Sequence, residues 1–158
     1  MVCQRECGTP LGKLLLTEQG EKLISAEFMG AAEAPSRQDT SPLLRAAAEQ
    51  LEAYFAGALR QFDLPLAPKG TAFQLRVWQA LLTIPYGSTV TYGQLAETIM
   101  LPGGARAVGQ ACNRNPIGIF VPCHRVVGAG GRLTGYAGGL EKKAFLLRLE
   151  GAAPDLYQ

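Results

Sequence analysis

Histidine is almost absent from this chain: among 158 residues only His124 carries an imidazole. Structural zinc takes four Cys, His or carboxylate ligands. Cys3 and Cys7 offer two and no second histidine exists to complete the set, so neither a metal nor a cofactor is expected. The four cysteines, Cys3, Cys7, Cys112 and Cys123, lack the spacing of a secreted disulfide framework, and no charged-then-apolar leader precedes them. That pattern reads as an intracellular, reduced protein of the cytoplasm. Long apolar runs are missing too. None approaches the roughly 20 residues of a membrane span, and a soluble chain without a membrane partner is expected. Nineteen glycines are present, yet the Gly, four residues, Gly-Lys-Ser/Thr pattern of a phosphate-cradling loop is not, which argues against nucleotide binding.

What is present is enough apolar material, 47% of residues, to bury a core as one domain or two small ones. Charge is unevenly divided. Residues 1–68 hold 6 Lys and Arg against 9 Asp and Glu, a net of −3, whereas residues 69–150 hold 9 against 3, a net of +6. An acidic half joined to a basic half suggests that the second half meets a polyanion.

Two β-compatible runs, Lys13–Thr17 and Lys22–Phe28, flank Glu18-Gln19-Gly20-Glu21 in a hairpin pattern. Residues 30–40 read as a loop. Ser41 followed by Pro42 opens an amphipathic helix carrying Leu43, Leu44, Ala47, Leu51, Tyr54 and Phe55 and ending near Gly57. Phe62–Leu66 is a candidate strand, and Leu66 to Gly70 a linker, which divides the chain into domains 1–68 and 69–158. Thr71 caps a helix stopped by Pro85. Thr91 with Gln94 fits a capping box for a short helix from Tyr92 to about Met100, and Ala105–Asn113 forms another beyond Leu101-Pro102-Gly103-Gly104. The fold expected is α/β in the α+β sense: a small N-terminal hairpin or sheet with a helix, then a mostly helical winged helix-turn-helix domain. Glycine-rich residues 128–139 would supply the wing or hairpin, and a last helix runs from about Leu140 to Glu150.

The chemistry concentrates at Pro122-Cys123-His124-Arg125-Val126-Val127, which follows the apolar run Ile117–Val121. A thiol reacts as thiolate, and a free cysteine with pKa of roughly 8.5 needs a base or cation nearby; His124 or Arg125 could serve. If the apolar run is a strand, adjacent side chains diverge, so Cys123 and His124 need a bridging water, and a third group such as Glu150 must orient the imidazole. The second short helix, Ala105-Arg106-Ala107-Val108-Gly109-Gln110-Ala111, has almost no bulk apart from its arginine. A helix that reads the major groove brings several long polar side chains to the bases. This slim one suits either the minor groove, with Arg106 inserted where a base has left, or plain packing with Arg106 toward solvent.

These residues resemble the O6-alkylguanine-DNA alkyltransferases, which repair alkylated guanine by taking the alkyl group onto their own cysteine. The resemblance rests on the Pro122 to Val127 run, Thr91-Tyr92-Gly93-Gln94-Leu95-Ala96, Arg106-Ala107-Val108-Gly109, Asn115-Pro116 and Gly135-Tyr136-Ala137-Gly138-Gly139-Leu140, all in family order. It covers residues 70–151 strongly and the first 68 in pattern and length. It implies irreversible, single-turnover transfer from O6-alkylguanine, and from O4-alkylthymine, in duplex DNA to Cys123. His124 would be the base acting through water, Glu150 its orienting carboxylate, and Asn115 the holder of the cysteine loop. Tyr92 would help rotate the nucleotide and protonate guanine, and Arg106 would fill the vacated stack. Gly93, Ala105, Gly109, Gln110 and Arg125 would join Tyr92 and Arg106 on DNA, while Tyr136, Val126 and Ala137 would line the base pocket. Ala137 stands where some relatives have Ser, so one hydroxyl that can contact the base is missing. Some relatives bind zinc in the N-terminal domain, and with one histidine no zinc is carried over. A monomer is expected, with clustering on DNA as a variation. The competing classes are a damage-binding protein without transfer, against which Cys123 itself argues; a cysteine hydrolase, which usually draws its histidine from far along the chain; and a winged-helix regulator with longer base-reading side chains.

Overall fold

The computed structural model describes residues 2–30 and 38–152. The fold is mixed α+β and divides into two compact units, Met1–Lys69 with Pro116–Phe120, and Gly70–Asn115 with Val121–Gln158. No helix among the described residues is long and apolar enough to cross a membrane.

The first unit is built on a three-stranded antiparallel sheet in the order β1 (Val2–Thr9), β2 (Gly12–Gln19), β3 (Lys22–Phe28). The central strand β2 buries Leu14 and Leu16, and β3 buries Leu23 and Ala26. The turn between them is shorter than the sequence suggests: only Gly20 and Glu21 form it, both at φ of 61°, the paired left-handed conformation of a two-residue hairpin. A bulge at Thr17/Glu18 absorbs the shift in register. Strand β1 went unanticipated because its burial does not alternate. Helix α1 (Pro42–Phe55) starts where expected, with the Ser41 side chain accepting from Leu44 N, and buries Leu44, Ala47, Leu51 and Tyr54.

Two candidate strands do not form. Phe62–Leu66 contributes a single bridge, Leu66 to Leu23; Pro65 inside it has no N–H to donate to a ladder. Ile117–Val121 is likewise no strand, because Ile119 sits at φ of 74°, in the left-handed region. Its first part instead joins the N-terminal sheet locally: Ala26 N donates to Pro116 O at 2.8 Å and Gly118 N to Ala26 O at 3.2 Å. Phe120 packs on Phe62, with ring centroids 4.5 Å apart.

In the second unit, α2 (Ala72–Leu81) and α3 (Tyr92–Thr98) each begin with a complete capping box, Thr71 with Gln74 and Thr91 with Gln94. A turn with Met100 at φ of 63° and Gly103 at φ of 78° leads into α4 (Ala105–Asn113), which buries Val108, Ala111 and Cys112 and leaves Arg106 exposed. Trp78 Nε1 of α2 donates to Ala111 O of α4 at 2.8 Å. The two-residue strands β4 (Val90–Thr91) and β5 (Val126–Val127) pair in parallel. The expected wing is a loop rather than a hairpin: residues 128–139 contain no paired strand, only a turn at Ala129–Gly131 closed by Gly131 N donating to Gly128 O at 3.0 Å, with Gly128 N donating to Arg132 O at 2.7 Å. Helix α5 (Leu140–Leu149) follows, with Glu150 as its C-terminal cap.

The Trp78 indole ties α2 to α4 by a buried hydrogen bond as well as by its volume. Trp78→Phe is expected to lower unfolding free energy by about 1–3 kcal/mol, measured by urea denaturation; an unchanged midpoint would show that the tie carries no stability.

Candidate active site

Cys123, His124 and Arg125 form one 3₁₀ turn after Pro122, with Arg125 N donating to Pro122 O at 3.1 Å. Three residues complete such a turn, so consecutive side chains leave it about 120° apart. Cys123 and His124 therefore diverge, as a strand would also have made them, but the turn sends Arg125 a third way. Cys123 retains 8% exposure, whereas His124 is fully buried.

The turn is held from two sides. Asn115, just beyond α4, donates from Nδ2 to Val121 O at 2.9 Å and to Cys123 Sγ at 3.3 Å. One amide thus closes the chain's excursion through Pro116–Phe120 and contacts the sulfur. From the other side, Glu150 accepts from His124 Nε2 at 2.8 Å through Oε2, and from Arg125 Nε at 2.8 Å and Nη2 at 3.0 Å. Arg125 Nη1 donates to Ile84 O at 2.7 Å, and its guanidinium carbon lies 5.8 Å from the centre of the Tyr86 ring.

These contacts decide protonation. A carboxylate oxygen at Nε2 places the imidazole proton on that nitrogen, leaving Nδ1 with a lone pair. Nδ1 is buried without a protein partner. Burial lowers the His124 pKa, and the hydrogen bond and charge of Glu150 only partly oppose it, so the ring is neutral and basic at Nδ1 near neutral pH. The Cys123 thiol is pushed up by burial, against the lowering effects of Asn115 and of the Lys143 charge. The sulfur therefore keeps its proton at rest until a base removes it.

The remaining expected residues fall into separate groups. Arg106 and Gln110 are exposed on α4, with Ala105 and Gly109 half-buried beside them and Gly93 exposed in the first turn of α3. A side chain added at Gly109 would meet the Tyr92 ring at 3.7 Å, so the helix runs close over that ring. Tyr92 donates from its hydroxyl to Thr134 O at 3.0 Å. Val126 is fully buried, Tyr136 is half-buried and Ala137 exposed; burial raises the Tyr136 pKa well above its usual value, so it stays a phenol. Arg125 corrects the expectation of a DNA contact or thiol activator: it is 8% exposed and its guanidinium is committed to Glu150 and Ile84. The sequence reading missed Lys143, a fully buried lysine whose Nζ donates to Thr134 O at 2.7 Å and Gly135 O at 3.1 Å. The signal was available, since Lys143 lies at helical spacing with Leu146 and Leu147 on the buried side of α5. No cluster of metal-ligating residues occurs among the described residues.

Comparison with known proteins adds a family context. Residues 72–152 match the family described as 6-O-methylguanine DNA methyltransferase, DNA binding domain, and residues 7–68 match its ribonuclease-like domain. A methylated-DNA--protein-cysteine methyltransferase of Methanosarcina acetivorans is 54% identical over 148 residues, covering 91% of this chain and 95% of that protein. One of Mycobacterium leprae is 52% identical over 153 residues, covering 95% and 93%. The crystal structure of Mycobacterium tuberculosis O6-methylguanine methyltransferase superposes with a TM-score of 0.86 at 49% identity, covering 96% and 93% of the two chains. Mycobacterium tuberculosis OGT in complex with DNA gives 0.85 at 46% identity, covering 97% of each.

Two outcomes follow from the site itself. Glu150→Gln leaves the Arg125 charge buried and unpaired, so unfolding free energy should fall by about 3–5 kcal/mol in urea; a loss below about 1 kcal/mol would remove the carboxylate from its central place. His124 is the sole histidine, so its NMR titration needs no assignment, and the midpoint is expected below 6.5. With the folded pKa lowered, the unfolded chain binds the proton first, and this group's contribution to stability declines as pH drops below roughly 6.5. A midpoint at or above 6.5 contradicts the neutral imidazole.

Proposed function

The chain belongs to the 6-O-methylguanine DNA methyltransferase family, and from that membership we propose how its own residues carry out direct-reversal repair, the transfer of an alkyl group from O6-alkylguanine in duplex DNA to Cys123. The observation that carries this reading is the linked set Asn115, Cys123, His124, Glu150, in which a buried sulfur, a neutral base and an orienting carboxylate meet on one 3₁₀ turn.

The proton leaves Sγ through a water to His124 Nδ1, and Glu150 stabilises the imidazolium that results. The sulfur lone pair then forms a bond to the alkyl carbon while the carbon–O6 bond breaks and its electron pair passes to the guanine. Tyr92, turning its hydroxyl from Thr134 O, supplies a proton to guanine N3. The product is a thioether, which cannot revert, so each molecule acts once and needs no cofactor. O4-alkylthymine presents the same kind of alkyl–oxygen bond and is a second substrate.

A base stacked in duplex DNA cannot reach the sulfur of a residue that is only 8% exposed, so the nucleotide is everted, at a cost of a few kcal/mol. Arg106 on the slim face of α4 fills the gap left in the stack, and Gly93, Ala105, Gly109 and Gln110 let the backbone approach the DNA. Tyr136, Val126 and Ala137 line the pocket. Residues 1–68 act as the N-terminal domain and residues 69–158 as the catalytic and DNA-binding domain, working as a monomer.

The test is intact-mass analysis after mixing with a duplex containing O6-methylguanine. One methyl group is expected on Cys123, with none on a Cys123→Ser variant. Tight binding without any mass gain would make the protein a damage-binding one instead.

A further inference from the structure

We propose that Tyr86 is a positioning residue for alkyl transfer, joining the Arg125 guanidinium to the C-terminal end of α5 so that Glu150 meets His124 in one orientation. The inference rests on the alkyl-transfer reading and deepens it by naming what keeps the orienting carboxylate in place.

The last four carbonyls of a helix lack a donor within it. In α5 three of them are answered by the backbone just beyond: Leu146 O accepts from Glu150 N at 3.0 Å, Leu147 O from Ala152 N at 2.9 Å and Arg148 O from Gly151 N at 3.0 Å. The fourth, Leu149 O, accepts from the Tyr86 hydroxyl at 3.2 Å. That bond is made one residue before Glu150, so it holds the backbone from which the carboxylate extends.

The same side chain reaches the other partner of that carboxylate. The Arg125 guanidinium carbon lies 5.8 Å from the centre of the Tyr86 ring, inside the roughly 6 Å at which a cation is attracted to an aromatic face. On either side of Tyr86 the backbone adds two contacts. Ile84 O accepts from Arg125 Nη1 at 2.7 Å, and Gly87, at φ of 83°, comes so near that a Cβ there would meet Glu150 O at 3.2 Å. Ser88 N donating to Pro85 O at 3.1 Å closes the turn, and Val90 pairs with Val126 just beyond it. Residues 84–87 thus touch both members of the Arg125–Glu150 pair, and Tyr86 supplies the side-chain part of the hold.

The consequence for the reaction lies in the imidazole. Glu150 Oε2 must stay on Nε2 at 2.8 Å to keep the ring proton there and the lone pair on Nδ1, the atom that takes the thiol proton. A shift of the α5 end or of the guanidinium moves the carboxylate off Nε2. The tautomer with its proton on Nδ1 then becomes populated, and it offers the thiol no base at that nitrogen. Tyr86 touches no reacting atom and acts through Glu150 and His124.

The experiment is ¹⁵N NMR of the imidazole in the full chain at a pH where the ring is neutral, His124 being the sole histidine, together with single-turnover methyl transfer from saturating duplex O6-methylguanine. In a single tautomer the protonated and lone-pair nitrogens resonate far apart, and exchange between tautomers draws the two together. In Tyr86→Leu, which loses ring and hydroxyl, the resonances are expected to approach one another and transfer to slow about tenfold, with affinity for undamaged duplex unchanged. Tyr86→Phe keeps the ring and is expected to recover to within about threefold of the unaltered protein. Resonances that stay in place overturn the proposal, whether or not transfer slows, as does an undiminished rate in Tyr86→Leu or a slowing accounted for by weaker duplex binding. If Tyr86→Leu does not fold, Tyr86→Phe is read on the same two measurements, and unmoved resonances there overturn the proposal as well. If the unaltered protein accepts no methyl group while the resonances converge in Tyr86→Leu, the functional reading fails and the positioning role stands.

Discussion

A carboxylate at the C-terminal end of α5 accepts from the imidazole of His124 and from two nitrogens of Arg125, and the rest of the site takes its protonation from that arrangement. The position is electrostatically awkward, because the end of a helix already carries partial negative charge from unpaired carbonyls. Arg125 resolves it, and in doing so it gives up any part in binding DNA. With the pair neutral as a unit, Glu150 can orient His124 without forcing it to hold a proton. A free carboxylate there would have drawn the imidazole toward its charged form; the guanidinium and burial together keep it a base.

The second constraint is on the backbone. Between Asn115 and Val121 the chain leaves the helical unit, contributes Pro116–Phe120 to the sheet-bearing one, and returns. Such an excursion costs loop entropy and would leave the cysteine turn loosely held. Asn115 counters this with a single side chain, bonding the carbonyl at which the chain returns and the sulfur two residues later. The left-handed Ile119 turns the chain back over a few residues. An amide whose partners lie six and eight residues onward thus does for the reacting sulfur what a capping box does for the helices on either side: it converts local chain geometry into a fixed position.

Much of this was legible because helix boundaries are written in short-range chemistry. Ser41-Pro42, Thr71 and Thr91 with Gln94 announce their helices, and the apolar spacing of α1 agrees with the residues that helix buries. Glu150 followed from the extent of α5. Strands were harder. Strand β1 is polar and half-exposed along its length, so no alternation marks it. Ile117–Val121 has the composition of a buried strand, and nothing in an apolar run reveals that one isoleucine will adopt a left-handed conformation to turn the chain. Arg125 and Lys143 were misjudged for one reason: charged side chains are assigned to the surface by default, and the exceptions are set by partners distant in sequence. Arg125 finds Glu150 25 residues on; Lys143 finds carbonyls eight and nine residues back, in the glycine-rich loop.

The raised Cys123 pKa fits a protein whose acceptor is used once. Thiolate is the form that oxidants and stray alkylating agents attack, and a sulfur consumed by such a reaction is lost for repair. Keeping the thiol protonated and 8% exposed at rest protects it, but the same burial would make ionisation prohibitive unless the means were already in place. A neutral base oriented by Glu150 and an amide on the sulfur supply those means without exposing the atom.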